Sequence, residues 1–264
     1  MNSFRSRLAT VNALMRAPDN LSSYEEPALV EVLSAHSELQ PPERAILDRI
    51  ASWLTGRRML DVGVGGGRTT LHFAPVVGSY VGIDYAQPMV DACAERLADR
   101  YPEAVFALGD VRDLSAFASG QFDFVLFSYN GLDSLDHEDR LRALRELRRV
   151  VSQEGLLCFS SHNLYGLSRL YLGDQKRRVK SLAFRALNGS LRSLAVKPYA
   201  MVRDGTGHFR MVQYYVRPSE SLEQLDSAGF AVTVAFGLDG RRIELDDVDS
   251  VEDTWLYYVA SPSS

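Results

Sequence analysis

Glycines and acidic residues in the first half of the chain have the types and spacing of a nucleotide-binding site. The stretch MLDVGVGGGRTT, residues 59–70, places Gly63, Gly65 and Gly67 directly after a short apolar run. Glycines there let the backbone approach a ligand closely, and the N-terminus of a following helix offers unpaired N–H groups. Asp84 ends the next apolar run, where a carboxylate can accept two hydrogen bonds from ribose hydroxyls. Together these features predict a nucleotide-type site.

The spacing of the glycines narrows the choice of ligand. A dinucleotide-binding loop has the pattern G-x-G-x-x-G, and Arg68 stands where its third glycine belongs. Arg68 therefore counts against a nicotinamide-dependent dehydrogenase, which is the alternative from another enzyme class. The chain instead has Asp61 followed by glycines at every second position. This acid-led pattern resembles the first motif of class I S-adenosylmethionine-dependent methyltransferases, and it gives Gly66 no role.

Three further segments are similar to the same family and follow in the family's order. They are VGIDYAQPMV at 81–90, GDVRDL at 109–114, and FDFVLFSYNGLDSL with LRELRRVVSQEGLLCFS at 122–160. The resemblance covers about residues 57–159 and implies S-adenosylmethionine as the cofactor. We expect no metal site, because Cys93 and Cys158 lack the spacing of metal ligands. One glycine loop is weak support, whereas four segments in order are strong support.

The resemblance also implies positions for the cofactor. Its methionine end would lie near Asp61, its ribose on Asp84, and its adenine beside Met89, Asp110 and Val111. For Met89, packing in the core is an equally good interpretation. The cofactor-binding residues predicted in this way are Asp61, Gly63, Gly65, Gly67, Asp84, Tyr85, Met89, Asp110, Val111 and Phe127.

Catalytic candidates must follow the fourth and fifth strands, because ligands bind at the carboxyl edge of an open α/β sheet. An alcohol or phenol acceptor needs a base, and His162 is the best candidate, with a hydrogen-bonded loop histidine as the alternative. Asn130 follows the fourth strand. Tyr24 precedes an N-terminal helix and either reaches the site or packs. His208 lies in a loop that could also reach the site.

The sequence after the fourth strand excludes one substrate class. Amino methyltransferases that act on exocyclic base nitrogens carry Asn or Asp, two prolines and an aromatic residue at this point. Here the sequence is Ser-Tyr-Asn-Gly at 128–131, which disfavours methylation of nucleic-acid bases.

The segment 163–212 is strongly basic, with ten Lys or Arg and two acids in a chain of net charge −5. It predicts either a site for an anionic acceptor or a solvated face, and we favour the second. Apolar residues at helical spacing would then pack on the sheet; they are Phe184, Leu187, Leu191 and Leu194. We expect a helical lid without strands, which shapes the acceptor pocket in either case.

Strand-like and helix-like runs alternate through the rest of the chain and predict an α/β fold. We expect a Rossmann-like, mostly parallel, seven-stranded sheet with helices on both faces, N-terminal helices and a helical lid after the fifth strand. The 264 residues would form one methyltransferase domain. Its parts would be an N-terminal helical cap (1–56), a cofactor-binding core (57–162), a basic lid insertion (163–212) and a last helix with strands (213–264).

Composition points to an ordinary globular protein, with 46% apolar and 24% charged residues. No run reaches the roughly 18–20 apolar residues that a membrane span needs, and residues 1–16 are not typical of a secretory signal. We therefore expect a cytoplasmic protein with reduced Cys93 and Cys158 and no membrane contact. The predicted partner is a small-molecule acceptor, possibly anionic, and nucleic acid is disfavoured. A peptide or protein methyltransferase and a non-catalytic S-adenosylmethionine-binding protein are the alternatives, and the oligomeric state stays open.

Overall fold

The fold is a ten-stranded sheet with helices on both faces. The computed structural model describes residues 20–171, 177–203, 205 and 211–263. The strands are β1 (Arg58–Val62), β2 (Ser79–Asp84), β3 (Val105–Leu108), β4 (Phe122–Phe127), β5 (Val151–Asn163), β6 (Tyr199–Val202), β7 (Gln213–Val216), β8 (Phe230–Phe236), β9 (Arg242–Ile243) and β10 (Trp255–Pro262). Within these residues no helix is long and apolar enough to cross a membrane.

The strand order is β3-β2-β1-β4-β5-β10-β8-β9. Neighbours from β3 to β5 are parallel, whereas β10 is antiparallel to both β5 and β8. The predicted α/β class with a mostly parallel sheet is confirmed, but the sheet has ten strands rather than the predicted seven, because β6, β7 and β9 add to it. The order reverses between β1 and β4, so the loops that follow these two strands diverge and leave a crevice at their carboxyl ends.

Helices cover both faces of the sheet. They are α1 (Leu21–Tyr24), α2 (Pro27–Ala35), α3 (Pro41–Leu54), α4 (Thr70–Phe73), α5 (Gln87–Leu97), α6 (His137–Val150), α7 (Leu167–Tyr171), α8 (Arg177–Asn188), α9 (Leu191–Ala195) and α10 (Pro218–Ser227). Leu144 and Leu147 of α6 pack on one face, and Ile46 and Leu54 of α3 pack on the other. Every residue of β4 is buried, as a central strand covered on both sides should be.

Local sequence explains where the principal helices begin. Asp136 caps α6 by accepting a hydrogen bond from the N–H of Asp139 at 2.9 Å, as its position before an apolar-periodic run predicts. Helix α3 begins at a Pro-Pro pair, where the missing N–H groups cost nothing. The carboxylate of Glu43 accepts the Gln40 N–H at 2.6 Å and completes a capping box.

The lid differs from the expectation of a purely helical segment. Helices α7, α8 and α9 are followed by β6, which pairs antiparallel with β7, and β7 continues alongside the end of β5. The expectation that 163–210 contains no strand was therefore wrong for Tyr199–Val202. This run is too short to show a clear period by itself, and its partner β7 supplies the pairing.

The apolar residues of the lid do not behave as one set. Phe184 and Leu194 are buried against Ala200, Val202 and other residues of the lid. Leu187 is exposed, which departs from the predicted packing face.

Of the basic lid residues, Arg185, Arg192 and Lys197 are exposed. The side chains of Arg169, Lys176, Arg177, Arg178 and Lys180 lie outside the described part of the chain, as does His208. The division of the chain into cap, core, lid and C-terminal part stays a prediction.

Candidate active site

The loop between β1 and α4 carries the predicted glycines. Gly63, Gly65 and Gly67 have φ values of 66°, 53° and 81°, a region that favours glycine. A Cβ on Gly65 would have no neighbour within 4 Å, so this backbone faces open space. A Cβ on Gly67 would collide with Leu97 and Cys93. Gly65 can therefore approach a ligand, whereas Gly67 allows helix α5 to pack behind the loop.

Gly66 has a role that its spacing did not reveal. A Cβ at this position would overlap the backbone of Ser34 in helix α2. Arg96 fixes the same junction by donating to the Gly66 carbonyl at 2.9 Å and to the His36 carbonyl at 3.2 Å. The N-terminal cap thus lies directly on the glycine loop.

Asp84 ends β2 beside this loop. Its Oδ2 accepts a hydrogen bond from the Gly65 N–H at 3.0 Å, and its Oδ1 accepts one from the Ala86 N–H at 3.0 Å. Burial raises the pKa of this carboxyl, while the backbone N–H groups act in the opposite direction. Each carboxylate oxygen has a further lone pair, which suits ribose hydroxyls.

Asp61 is almost completely buried at the end of β1. Thr69 and Tyr80 donate hydrogen bonds to its Oδ2 at 2.5 and 2.6 Å, which leaves Oδ1 for a ligand. Burial raises the pKa of Asp61 to about 6, despite those two bonds. A ligand cation here would favour the ionised carboxylate.

Asp110 is held by a neighbour that the motif did not predict. Arg112 binds both of its carboxylate oxygens and also Asp139, at 2.9 Å. Burial opposes ionisation of Asp110, but the hydrogen bonds from Arg112 outweigh it and lower the pKa. An adenine amine at this edge would meet a carboxylate that is already oriented.

One cavity of about 290 Å³ joins the loop to the ends of β4 and β5. All the predicted site residues except Gly67 line it, namely Tyr24, Asp61, Gly63, Gly65, Asp84, Tyr85, Met89, Asp110, Val111, Phe127, Asn130 and His162. Helices α1 and α2 supply further lining residues, among them Leu29 and Leu33. The arrangement can hold an extended nucleoside-like ligand with a second ligand beside His162.

His162 lies near the end of β5 with both ring nitrogens close to polar groups. Its Nδ1 is 2.8 Å from Asp133 Oδ2, off the direction of a linear hydrogen bond. Its Nε2 is 3.3 Å from Asn130 Nδ2. With its proton on Nδ1 beside the carboxylate, the imidazole would present the lone pair of Nε2 to the Asn130 amide. The tautomer is that of a base.

Asp133 belongs to a buried network of charged and polar groups that the sequence analysis did not predict. Asp133 and Arg140 have no exposed side-chain surface and form an ion pair at 2.5 Å. The same carboxylate accepts hydrogen bonds from Ser161 Oγ at 2.7 Å and from the His162 N–H at 2.6 Å. One signal was present, because Arg140 lies on the face of α6 that carries Leu144 and Leu147.

The turn after β4 is strained. Tyr129 and Asn130 have φ values of 55° and 61°, which non-glycine residues adopt rarely. The Asn130 N–H donates to Ser160 Oγ at 2.7 Å and helps to hold this turn against β5. Strain of this kind concentrates at ligand sites, where the surrounding structure enforces it.

Tyr24 reaches the cavity from α1. Its ring meets Tyr85 edge-on at 5.7 Å, and its hydroxyl lies 3.4 Å from Ser134 Oγ. Burial raises the pKa of Tyr24, so its hydroxyl is suited to hydrogen bonding rather than to proton removal.

Glu43 of α3 joins four elements and was not predicted. Its buried carboxylate binds the guanidinium of Arg68, Ser128 Oγ and, at 3.1 Å, the Tyr257 hydroxyl. Arg68 also lies 5.2 Å from the ring of Tyr129. The residue that replaces the third glycine of a dinucleotide loop therefore ties the loop to the acceptor end.

The family comparison agrees with this architecture. Residues 59–155 match the family described as "Methyltransferase domain". The chain is 32% identical over 107 residues to the uncharacterized methyltransferase YcgJ of Bacillus subtilis, over 40% of each chain. It is 30% identical over 137 residues to the cypemycin N-terminal methyltransferase of a Streptomyces species, over 51% of this chain and 54% of that protein. The matches thus span about half or less of these curated relatives.

Solved structures share the fold over nearly the whole chain. The CcbJ methyltransferase from Streptomyces caelestis superposes with a TM-score of 0.61 at 18% identity, covering 91% of this chain and 98% of that one. The 1,6-didemethyltoxoflavin-N1-methyltransferase of Burkholderia thailandensis, solved with 1,6-didemethyltoxoflavin and S-adenosylhomocysteine bound, gives 0.61 at 17% identity over 98% and 90%. Residues 59–155 are thus similar to a methyltransferase domain, and these solved methyltransferases share the fold of the chain.

Proposed function

We propose that the protein transfers a methyl group from S-adenosylmethionine to a small-molecule acceptor, with His162 as the base. The observation that carries the proposal is the single cavity that contains both Gly65 and His162. Methyl transfer is an in-line displacement, so a protein accelerates it mainly by aligning donor and acceptor and by excluding water. A base on the acceptor side completes the requirement for a hydroxyl or N–H acceptor.

The residues of the cofactor end fit the cofactor. The open direction at Gly65 and the Oδ1 of Asp61 would receive the amino-acid end, and Asp84 would receive the ribose hydroxyls. The apolar side chains of Met89 and Val111 flank the opposite end of this region. When bound, S-adenosylmethionine supplies a methyl carbon that its sulfonium activates.

His162 is suited to accept the acceptor's proton. Nε2 would take this proton as the methyl carbon bonds to the acceptor and its bond to sulfur breaks, which leaves a neutral thioether, and Asp133, 2.8 Å from Nδ1, would stabilise the imidazolium. Arg140 forms a buried ion pair with the same carboxylate. Asn130 holds the imidazole through its Nδ2 and would yield that contact only when His162 takes the proton of a bound acceptor.

An uncharged acceptor suits the described residues better than an anionic one. Arg68 is the one Arg or Lys among the described lining residues, and Glu43 already binds it. Of the basic lid residues whose side chains are described, Arg185, Arg192 and Lys197 are exposed and Arg203 is half-buried, and none of them lines the cavity. The expectation of an anionic acceptor thus finds no support at this end of the cavity.

A peptide acceptor is the second candidate, and one relative favours it. The cypemycin N-terminal methyltransferase, which matches 51% of this chain, is named for a peptide substrate. A peptide N-terminus is an amine, and an amine that is already deprotonated needs no base. Retention of turnover after loss of the His162 imidazole would favour this candidate.

Two measurements test the proposed function. Calorimetry should show binding of S-adenosylhomocysteine, and no heat at high micromolar concentration would contradict it. Screening of metabolite fractions with cofactor labelled in the methyl group should then give a labelled small molecule. Binding without methylation of any fraction would instead support the non-catalytic alternative. A cytoplasmic location stays a prediction.

A further inference from the structure

Aromatic rings surround His162 at the acceptor end. Tyr215 stacks on the imidazole, with centroids 4.6 Å apart and planes inclined by 25°. Trp255 meets the same imidazole edge-on at 6.2 Å, and Tyr129 meets Trp255 edge-on at 6.4 Å. Aromatic pairs favour stacked and edge-to-face geometries, so a planar ring entering here finds partners of both kinds.

Tyr129 indicates that this surface serves a ligand. Its side chain lines the cavity yet keeps 44% of its surface exposed, while its backbone adopts φ 55°. A strained backbone that presents a large ring to open space gains little core packing in return. Strain and exposure at one residue point to contact with a ligand.

Besides His162 Nδ1, which lies 2.8 Å from Asp133 Oδ2, two buried polar atoms at this end have no hydrogen-bond partner among the described residues. They are Asn130 Oδ1 and Trp255 Nε1. Asn130 is only 7% exposed, and both residues line the cavity. Since Asn130 Nδ2 is directed to the lone pair of His162 Nε2, its Oδ1 remains as an acceptor. Unpaired buried polar atoms are costly, so a bound molecule is expected to satisfy one acceptor and one donor.

We propose that the acceptor is an uncharged, planar aromatic molecule that donates a hydrogen bond to Asn130 Oδ1 and accepts one from Trp255 Nε1. A hydroxyl-substituted nitrogen heterocycle has both groups. The inference rests on the proposed function and specifies the substrate class of the same site. The absence of an unpaired Arg or Lys among the described lining residues disfavours a carboxylate or phosphate on the ring.

The test titrates protein saturated with S-adenosylhomocysteine with 2-hydroxyquinoline, 4-hydroxyquinoline, quinoline and quinoline-4-carboxylate, using calorimetry. The two hydroxyquinolines present the donor and acceptor at different separations. At least one of them should bind about fivefold or more tightly than quinoline, which lacks the donor. The carboxylate should bind more weakly than both hydroxyquinolines.

Conservative variants assign the contacts. Trp255→Phe keeps a ring but removes the N–H and should weaken the better hydroxyquinoline about fivefold, with unchanged affinity for S-adenosylhomocysteine. Asn130→Gly should act likewise, because glycine accepts the φ of 61° without strain. The control is Trp53→Phe, the same change at the other tryptophan, which lies in α3 and does not line the cavity.

The outcomes separate this inference from the proposed function. Tighter binding of the carboxylate, or undiminished hydroxyquinoline affinity in Trp255→Phe, would overturn the aromatic acceptor while cofactor binding stood. Failure of the unmodified protein to bind S-adenosylhomocysteine would overturn both.

Discussion

The two ends of the cavity are built in different ways. At the cofactor end, the shape of the site is set mainly by the backbone. Gly63 and Gly65 have positive φ angles, and N–H groups donate to Asp84. At the acceptor end, Tyr215 of β7 and Trp255 of β10 contact the His162 ring, and Tyr129 of the turn after β4 contacts Trp255. The cofactor end is formed by residues that are close in sequence, whereas the acceptor end depends on how distant segments pack together.

The ends also differ in how they hold charge. Asp133 has a cationic partner in Arg140, so the acceptor end is neutralised within the protein. Asp61 is bound by two hydroxyl groups, and burial raises its pKa to about 6. The cofactor end therefore benefits from a cation brought by the ligand, and the acceptor end does not.

The largest expected effect is on the chemistry of the acceptor end. Replacing His162 with alanine should lower kcat by about 10²- to 10⁴-fold, the range for loss of a general base. Affinity for S-adenosylhomocysteine in calorimetry should stay within about twofold, because catalysis and cofactor binding lie at opposite ends. His72→Ala, on α4 outside the cavity, is the control. Wild-type turnover in His162→Ala would remove this residue from the mechanism.

Loss of one partner of the buried Asp133–Arg140 ion pair should strongly lower the free energy of unfolding. Asp133→Asn leaves the buried Arg140 without its counter-charge and should lower the free energy of unfolding by about 3–5 kcal/mol, measured by urea denaturation. The matched change Asp239→Asn removes an exposed partner of Arg241 and should leave the urea midpoint unchanged. Equal midpoints for the two variants would show that the buried pair is not a stabilising unit.

One side chain added to the glycine loop should be enough to disrupt binding at the cofactor end. Gly65→Val should weaken S-adenosylhomocysteine about 100-fold, since filling space that a ligand needs costs about 1–3 kcal/mol. Gly56→Val is matched, because Gly56 also has positive φ, at 77°, and open space around its Cβ position. It should show similar strain but normal binding. Tight binding by Gly65→Val would refute the assignment of the loop.

The smallest expected effect concerns pH. Asp61 has a pKa of about 6 in the folded protein, and a ligand ammonium group favours its ionised form. Affinity for S-adenosylhomocysteine should therefore rise about tenfold between about pH 5 and 7, where the carboxyl loses its proton. Calorimetry of Asp61→Asn should give a flatter profile, and an equally steep one would assign the dependence to another group.

Stability should show the opposite trend with pH at the same residue. The folded pKa is raised above the ordinary value of 3.8, so the folded state holds the proton more tightly than the unfolded chain. The contribution of Asp61 to the free energy of unfolding accordingly falls as pH rises from about 4 to 6.

Much of the core fold could be predicted because its signals are local. Strand β4 has the predicted bounds, Phe122–Phe127, since a continuous apolar run between turns is typical of a central parallel strand. The short strand β6 was not predicted, because it is stabilised by pairing with β7 and its own sequence shows no clear strand pattern.

In the site too, the parts with local sequence signals were predictable and the parts formed by tertiary packing were not. The glycine loop and Asp84 lie close together in the chain, and the structure brings them to one cavity. The Asp133–Arg140 pair and the Glu43 network join residues that are polar and individually unremarkable in sequence. The place of Arg140 on the apolar face of α6 indicates burial, but only the three-dimensional packing shows that it pairs with Asp133 beside His162.

The contact between Gly66 and helix α2 bears on how fast a bound ligand can leave the cavity. Helix α2 has no buried residue, yet Leu29 and Leu33 line the cavity above the glycine loop. A bound cofactor would give these leucines an apolar surface to cover, so ligand and helix stabilise each other. We therefore expect S-adenosylhomocysteine to leave more slowly while α2 lies on the loop, and changes in this helix to alter its residence time.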